Sequence, residues 1–284
     1  MTKLSPVSSV ADYLAGMLMS TPAAVLSDFD GTLSAMAPTP DSAVLAPGAA
    51  DALRALHSRV GLVGIVTGRG IDDVMGKIGI PDLLYVGNHG LEAYEGGEHS
   101  VHPAGLAAEQ ALPDALREIQ QSLAARISLD GVIFENKRYS ASIHYRQAGD
   151  PIHTGDVLTP ILDAVASEFG FWVSDGKMVQ ELRPGEAINK GTAVRNLVQS
   201  HGLRSVVFFG DDVTDADAFV VLREIREAQG IATCSVGVLT PDTHPRVIEN
   251  SDFLLDGFDD VVAVLAELAT RLPEGDIDEE GDLA

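Results

Sequence analysis

Five short apolar runs, residues 24–28, 61–66, 83–86, 205–209 and 235–238, are separated by Ala/Leu-rich stretches with helical spacing. This alternation constrains the fold more than any other feature of the chain, because it is the pattern of a parallel sheet whose strands are joined by crossover helices. Helices are expected at about 48–58, 71–78, 191–201 and 215–229. Four of the runs lead directly into turn sequences: Asp28-Phe29-Asp30-Gly31, Thr67-Gly68-Arg69, Gly87-Asn88-His89-Gly90 and Gly210-Asp211-Asp212. Ligands of open α/β sheets sit beyond the carboxyl ends of the strands, so these four segments should converge on one crevice.

The middle of the chain follows another rule. A helix over about 105–127 precedes a hairpin-like pair at 132–137 and 141–146, and a second helix at about 155–169 precedes a second pair at 171–173 and 178–182. This αββαββ unit reads as an inserted cap domain over roughly 104–185, with residues 1–103 and 186–284 forming the core. The expected fold class is therefore α/β, a Rossmann-like doubly wound parallel sheet carrying an α+β cap.

Chemistry concentrates in the turns. Asp28 and Asp30 lie one residue apart at the end of an apolar run, so both start out on one face, and Gly31 lets the chain turn around whatever lies between them. Two carboxylates that close repel unless a proton or cation intervenes. In the functional reading, Asp28 attacks phosphorus and Asp30 handles the protons of the leaving group and the attacking water. Thr67 can donate its hydroxyl to a phosphoryl oxygen, and Lys190, just ahead of a helix start, can neutralise such oxygens and hold Asp28 ionised. Asp211, Asp212 and Asp215 offer three carboxylates in five residues at a strand-to-helix turn. They suit a hard cation such as Mg²⁺, or else form an acidic helix cap and first turn. His89 reads as a turn histidine, since no His or Cys stands near it at metal-ligand spacing.

Charge narrows the partners. The formal net charge of −23 argues against nucleic acid and anionic membranes, both of which need a basic face. Residues 135–195 hold seven Lys/Arg against eight Asp/Glu, a net of −1, so an anionic small molecule meets its least hostile surface there. No Walker loop and no GxGxxG is present, which argues against a P-loop kinase and a dehydrogenase. The single cysteine, Cys234, excludes an internal disulfide. The weakly apolar stretch from Tyr13 to Met19 lacks the character of a signal peptide, so a cytoplasmic location is the expectation. The acidic stretch 274–284 reads as a solvated tail.

Together the four core segments resemble the haloacid-dehalogenase-like phosphohydrolases. More narrowly, from Ala24 to about Leu265, the chain resembles the trehalose-phosphatase family. The segments that carry the narrower resemblance lie in the cap: Glu135-Asn136-Lys137, His144-Tyr145-Arg146 and Glu181-Leu182-Arg183-Pro184. The resemblance implies hydrolysis of trehalose 6-phosphate to trehalose and phosphate through an aspartyl-phosphate on Asp28, with Asp30 as acid/base. It implies Mg²⁺ held by Asp28, the Asp30 main-chain carbonyl and Asp211, with Asp215 supporting that shell. It places Phe29, Gly68 and Arg69 beside the substrate, and Lys137, Lys177 and Glu181, with His144 and Arg183, on the sugar. Ala216 stands where the family usually has Glu. The same residues would serve a sucrose-phosphate or mannosyl-phosphoglycerate phosphatase, a phosphomutase, or a silent sugar-phosphate-binding regulator. The expected partner is a small sugar phosphate and the expected state a monomer, although nothing in the sequence fixes the oligomer.

Overall fold

The computed structural model describes residues 4–176, 178–185, 188–241 and 243–274. Lys177 and nearly all of the acidic tail lie outside these residues. The strands β1 (Ala23–Ser27), β2 (Leu62–Val66), β3 (Leu84–Gly87), β10 (Ser205–Gly210), β11 (Ala232–Val238) and β12 (Phe253–Leu255) pair in parallel in the order β12-β11-β10-β1-β2-β3. An antiparallel pair, β4 (Glu92–Glu95) and β5 (Glu98–Val101), extends the β3 edge. The fold class expected from the alternating pattern is the one observed.

Period two decides which face each strand residue serves. Val25, Val207 and Phe209 enter one apolar layer, with Leu53 and Leu56 of α2 (Ala49–His57) and Val74 and Ile78 of α3 (Ile71–Ile78). Their neighbours Leu26, Val206 and Phe208 enter the opposite layer, with Val194 and Val198 of α6 (Lys190–Ser200) and Phe219 and Leu222 of α7 (Val213–Gln229). Because both faces are covered, these strands read as unbroken apolar runs rather than alternating ones.

Two elements of the first layer come from opposite ends of the chain. α1 (Val7–Leu18) buries Val10, Leu14 and Leu18, and α9 (Gly257–Arg271) buries Val261, Val264, Leu265 and Leu268. They pack on the same side of the sheet. The Tyr13–Met19 stretch is thus part of a core helix, and its modest hydropathy reflects an amphipathic face.

β1 lies between β2 and β10, so consecutive crossovers leave it in opposite directions. The carboxyl ends of β1 and β10 frame the switch point of the sheet, which is where such folds open a crevice. Asp28 and Asp211 follow these two strands directly.

A second antiparallel sheet has the order β6 (Ile133–Asn136), β7 (Ala141–His144), β9 (Val179–Arg183), β8 (Trp172–Gly176). One face, with Ala141, Ile143 and Leu182, packs on α4 (Pro103–Ala124) and α5 (Pro151–Phe169). The other face carries Glu135, Ser142, His144 and Glu181 and looks onto the crevice at the end of the core sheet.

Candidate active site

The crevice is a cavity of about 860 Å³ between the two sheets. Its floor is built by the turns after β1, β2 and β10 and by the start of α6. Asp28 is buried and accepts an ion pair from Lys190 Nζ at 2.9 Å. The same ammonium reaches Asp215 Oδ1 at 2.7 Å. Lys190 opens α6, where a reciprocal cap between Asn189 and Thr192 fixes the first turn. A cation at a helix N-terminus opposes the macrodipole, so the paired carboxylates account for this placement, not the helix.

The three acidic residues after β10 divide their work. Asp212 is the helix cap: its Oδ1 accepts from Thr214 N at 2.7 Å and Asp215 N at 3.2 Å. Asp215 is fully buried, and its Oδ2 accepts from the backbone N–H groups of Asp211 and Asp212 at 3.0 and 3.1 Å. Asp211 faces the β1 turn, where Thr32 Oγ1 donates to it at 3.4 Å. Gly31 has φ +78°, and a Cβ built there would lie 2.4 Å from Asp211 Oδ2, so only glycine allows this approach.

Oxygens of Asp28, Asp211 and Asp215 lie within 4.8 Å of one another. Such a set of hard oxygen donors fits a small divalent cation. Burial, opposed by Lys190 and reinforced by Asp212 and Asp30, pushes the Asp28 carboxyl up to about 6. Burial likewise raises Asp215 well above the usual range, while burial lowers Lys190 but is outweighed by Asp215, Asp28 and Asp212, which hold its ammonium well above the usual value. These shifts measure the cost of crowding carboxylates in a dry site, a cost that a bound cation would relieve.

Asp30 points elsewhere. Arg69 grips both its oxygens, Nε to Oδ2 at 2.6 Å and Nη2 to Oδ1 at 2.8 Å. The guanidinium also donates to Asp73 and to Pro40 O and lies 5.3 Å over the Phe29 ring. Arg69 therefore spends its donors on the protein in this state, next to the site where the sequence places a substrate. Phe29 departs further from expectation. Its ring is buried in the core and lines no part of the cavity, because the alternation that presents Asp28 and Asp30 turns residue 29 inward. Thr67 is buried on the cavity wall, with its Oγ1 accepting from Arg69 N at 3.2 Å.

His144, Glu181 and Arg183 reach the cavity from the second sheet, and Lys137 reaches it from the turn after β6. Each has a protein partner: His144 bonds to Glu135 at 2.8 Å, and Arg183 donates to Ile188 O. Glu181 forms the bridge between sheets. Its Oε1 meets Lys137 Nζ at 2.7 Å and Ser142 Oγ at 3.2 Å, and its Oε2 meets His89 Nε2 at 3.1 Å. Lys137 in turn donates to Gly68 O at 3.1 Å.

His89 was expected to be an ordinary turn residue, yet it joins the two lobes. Its ring packs so tightly on Gly68 that a Cβ there would fall 2.5 Å from Nε2. Burial lowers its pKa from the usual value despite the Glu181 carboxylate 3.1 Å from Nε2. Its sequence signal was the pair of glycines around Asn88 and His89, both of which adopt positive φ.

Glu181 is fully engaged, and although burial pushes its carboxyl up, Lys137, His89 and Arg183 outweigh burial and hold it well below the usual range. Such a group stabilises the fold above the unfolded carboxylate pKa, and that stability is lost as pH falls through the folded pKa. Glu181→Gln strands the Lys137 charge and is expected to cost about 3 kcal/mol at pH 7. Urea unfolding as a function of pH checks this: the gap from wild type should begin to narrow below pH ~4.5, where Glu181 of the unfolded chain takes up a proton, and close as pH falls through the lower folded pKa. A gap independent of pH would mean that charge at Glu181 does not hold the lobes together.

The sequence pattern of the trehalose-phosphatase family matches residues 26–244. The trehalose-phosphate phosphatase of Mycobacterium bovis (BCG Pasteur) is 34% identical over 253 residues, covering 85% of this chain and 63% of that protein. That of Mycobacterium marinum is 34% identical over 210 residues, covering 72% of this chain and 52% of its own length. The chain thus spans less than two thirds of either relative. Among solved structures, the C-terminal domain of Candida albicans trehalose-6-phosphate phosphatase superposes with a TM-score of 0.78 at 21% identity, over 95% of this chain and 98% of that one. The C-terminal domain of the C. albicans trehalose synthase regulatory protein superposes at 0.70 with 11% identity, over 90% and 97%. At such identities the likeness is one of fold. The matched segment contains the whole second sheet, the core-sheet strands from β2 to β11 and every residue of the cavity floor described above, and this chain belongs to the trehalose-phosphatase family.

Proposed function

We propose that this protein is a Mg²⁺-dependent phosphatase that hydrolyses trehalose 6-phosphate to trehalose and inorganic phosphate. The observation that carries the reading is Asp28, a buried carboxylate paired with Lys190 at 2.9 Å and within 4.8 Å of Asp211 and Asp215, at the floor of a cavity wide enough for a sugar phosphate. Family membership directs the substrate to the trehalose ester.

An Asp28 oxygen attacks phosphorus, the bond from phosphorus to the sugar oxygen breaks, and an aspartyl-phosphate forms. Asp30 gives its proton to the departing alkoxide, then takes one from the water that attacks the phosphoenzyme, and the Asp28–phosphorus bond breaks to release phosphate. Asp30 must leave the Arg69 fork to do so, because a carboxylate held by two guanidinium bonds has no proton to give. Thr67 and Lys190 stabilise the phosphoryl oxygens. Asp28, Asp211 and Asp215, with the Asp30 carbonyl, would hold Mg²⁺, which when bound neutralises charge developing on those oxygens. Residues 104–185 act as a cap that closes over the sugar and excludes water, using Lys137, Glu181, His144 and Arg183 to recognise it.

A phosphate-release screen tests the proposal, using trehalose 6-phosphate, sucrose 6-phosphate, mannosyl-3-phosphoglycerate and glucose 6-phosphate, each with Mg²⁺ or with excess EDTA. The highest kcat/KM is expected on trehalose 6-phosphate, with activity abolished by EDTA and restored by Mg²⁺. Preference for another ester overturns the substrate, full activity in EDTA overturns the metal, and binding without phosphate release makes the protein a regulator.

A further inference from the structure

The crevice-facing surface of the second sheet follows from strand register. Glu135 pairs with Ser142, Ser142 with Glu181, and Glu181 with Ser174, so these four form one row across the sheet. All four line the cavity. The next row is set by Arg183, which pairs with Trp172 on the edge strand β8. Directly paired residues share a face, so Trp172 stands on the same surface, one strand spacing of about 5 Å beyond Arg183.

Trp172 is the only Phe, Trp or Tyr lining the cavity among the described residues. Its indole is 46% exposed and takes no part in the apolar core between this sheet and its helices, into which its neighbour Val173 packs instead. A large ring left open to solvent at the rim of the cavity costs the fold apolar burial, and a ligand can recover it. Pyranose rings present a C–H face that packs on an aromatic plane, while their rim of hydroxyls needs donors and acceptors, which Arg183 and Ser174 offer beside the indole. The Arg183 side chain reaches Ile188 O, two residues before the Lys190 that contacts Asp28. A ligand anchored by its phosphate at Asp28 therefore meets Trp172 only with a part that extends past Arg183 to the outer edge of the sheet.

We propose that the Trp172 indole is the platform for the sugar ring farther from the phosphate, and so determines specificity for disaccharide phosphates over hexose phosphates. This rests on the sugar-phosphate phosphatase reading above. Trp172 touches no reacting group, so it acts on affinity for the longer substrate and not on the bond-breaking steps.

Trp172 is the sole tryptophan of the chain, so intrinsic fluorescence reports on it alone. In the Asp28→Asn variant, which holds substrate without turnover, trehalose 6-phosphate should shift the emission saturably, and glucose 6-phosphate should leave it unmoved. In steady-state kinetics, Trp172→Ala should lower kcat/KM on trehalose 6-phosphate about 10-fold, mainly through KM, from the loss of a stacked ring. Its kcat/KM on p-nitrophenyl phosphate should match wild type, and Trp172→Phe should recover most of the loss. Unmoved emission, or equal losses on both substrates, overturns the platform. Wild-type activity on trehalose 6-phosphate with an unaffected Trp172→Ala variant overturns the platform while leaving the phosphatase reading intact. Should wild type prefer a different disaccharide phosphate, the trehalose assignment falls and the same comparison on that ester decides the platform. Hydrolysis of hexose phosphates alone overturns both.

Discussion

Asp28→Asn should abolish turnover, by about 10⁴-fold or more, and yet leave the metal-free protein at least as stable as wild type at pH 8. The two halves of this expectation have one cause. Asp28 is a buried carboxylate crowded by Asp212 and Asp30, and burial pushes its pKa from the ordinary 3.8 up to about 6. Its ionised form is what a nucleophile needs, and ionising it in a dry site costs the fold free energy. Asparagine keeps the shape and still accepts from Lys190, but carries no charge to attack with. The sign follows from linkage: with the folded pKa above the unfolded one, wild type is penalised above pH 6 and relieved as pH falls towards 4. The stability advantage of the variant should therefore be present at pH 8 and fade by pH 4, as read by thermal unfolding in EDTA. Residual turnover near that of wild type would remove Asp28 from the chemistry, and a variant less stable than wild type at pH 8 would contradict the crowding argument.

Lys190→Met should have the opposite effect on stability and the same effect on activity. The ammonium is 2% exposed and lies between Asp28 and Asp215 at 2.9 and 2.7 Å. Methionine fills a similar volume but leaves the buried carboxylates without that counter-charge, at a cost of about 3–5 kcal/mol. Saturating Mg²⁺ should restore part of the lost stability, because a cation bound to the same carboxylates supplies the missing charge. Turnover should stay at least about 10³-fold down even then, since no ammonium meets the phosphoryl oxygens. The comparison is Tm of wild type and variant in EDTA and in Mg²⁺, alongside phosphate release. If Mg²⁺ stabilises wild type and variant equally, Lys190 and the cation do not share these carboxylates.

The chemistry-bearing turns were legible because each is local. A run of five or six apolar residues ending in Asp28-Phe29-Asp30-Gly31 or Gly210-Asp211-Asp212 contains both the strand and its carboxyl end, and the parallel topology does the rest. The elements of the second sheet were legible for a similar reason, since a helix followed by two strands occurs twice in succession, α4-β6-β7 and α5-β8-β9. Elements whose justification lies far away in the chain were missed. Val10, Leu14 and Leu18 make a helix face only against α9, some 250 residues later, and the β4–β5 pair is an extension whose partner is an edge strand.

Within the cavity the same division holds. Residue type and position, after a strand for Asp28, Thr67 and Asp211 and in the first turn of a helix for Lys190 and Asp215, were enough to mark these five as candidates. Sequence alone could not tell which carboxylate caps α7, and only the folded turn assigns that to Asp212 and frees Asp211 to face Gly31. Nor could it show that Arg69 closes on Asp30, that Glu181 joins Lys137 to His89 across the two sheets, or that Trp172 stands open on the rim. Those are contacts between residues 39 to 92 positions apart, or exposures left over after the rest has packed. Backbone periodicity and turn chemistry act over a few residues, so the sequence by itself determined the parallel sheet and the carboxylates at its switch point. Side-chain pairing depends on how separately folded layers meet, so the tertiary structure alone decided which charges neutralise one another and which groups remain for a ligand.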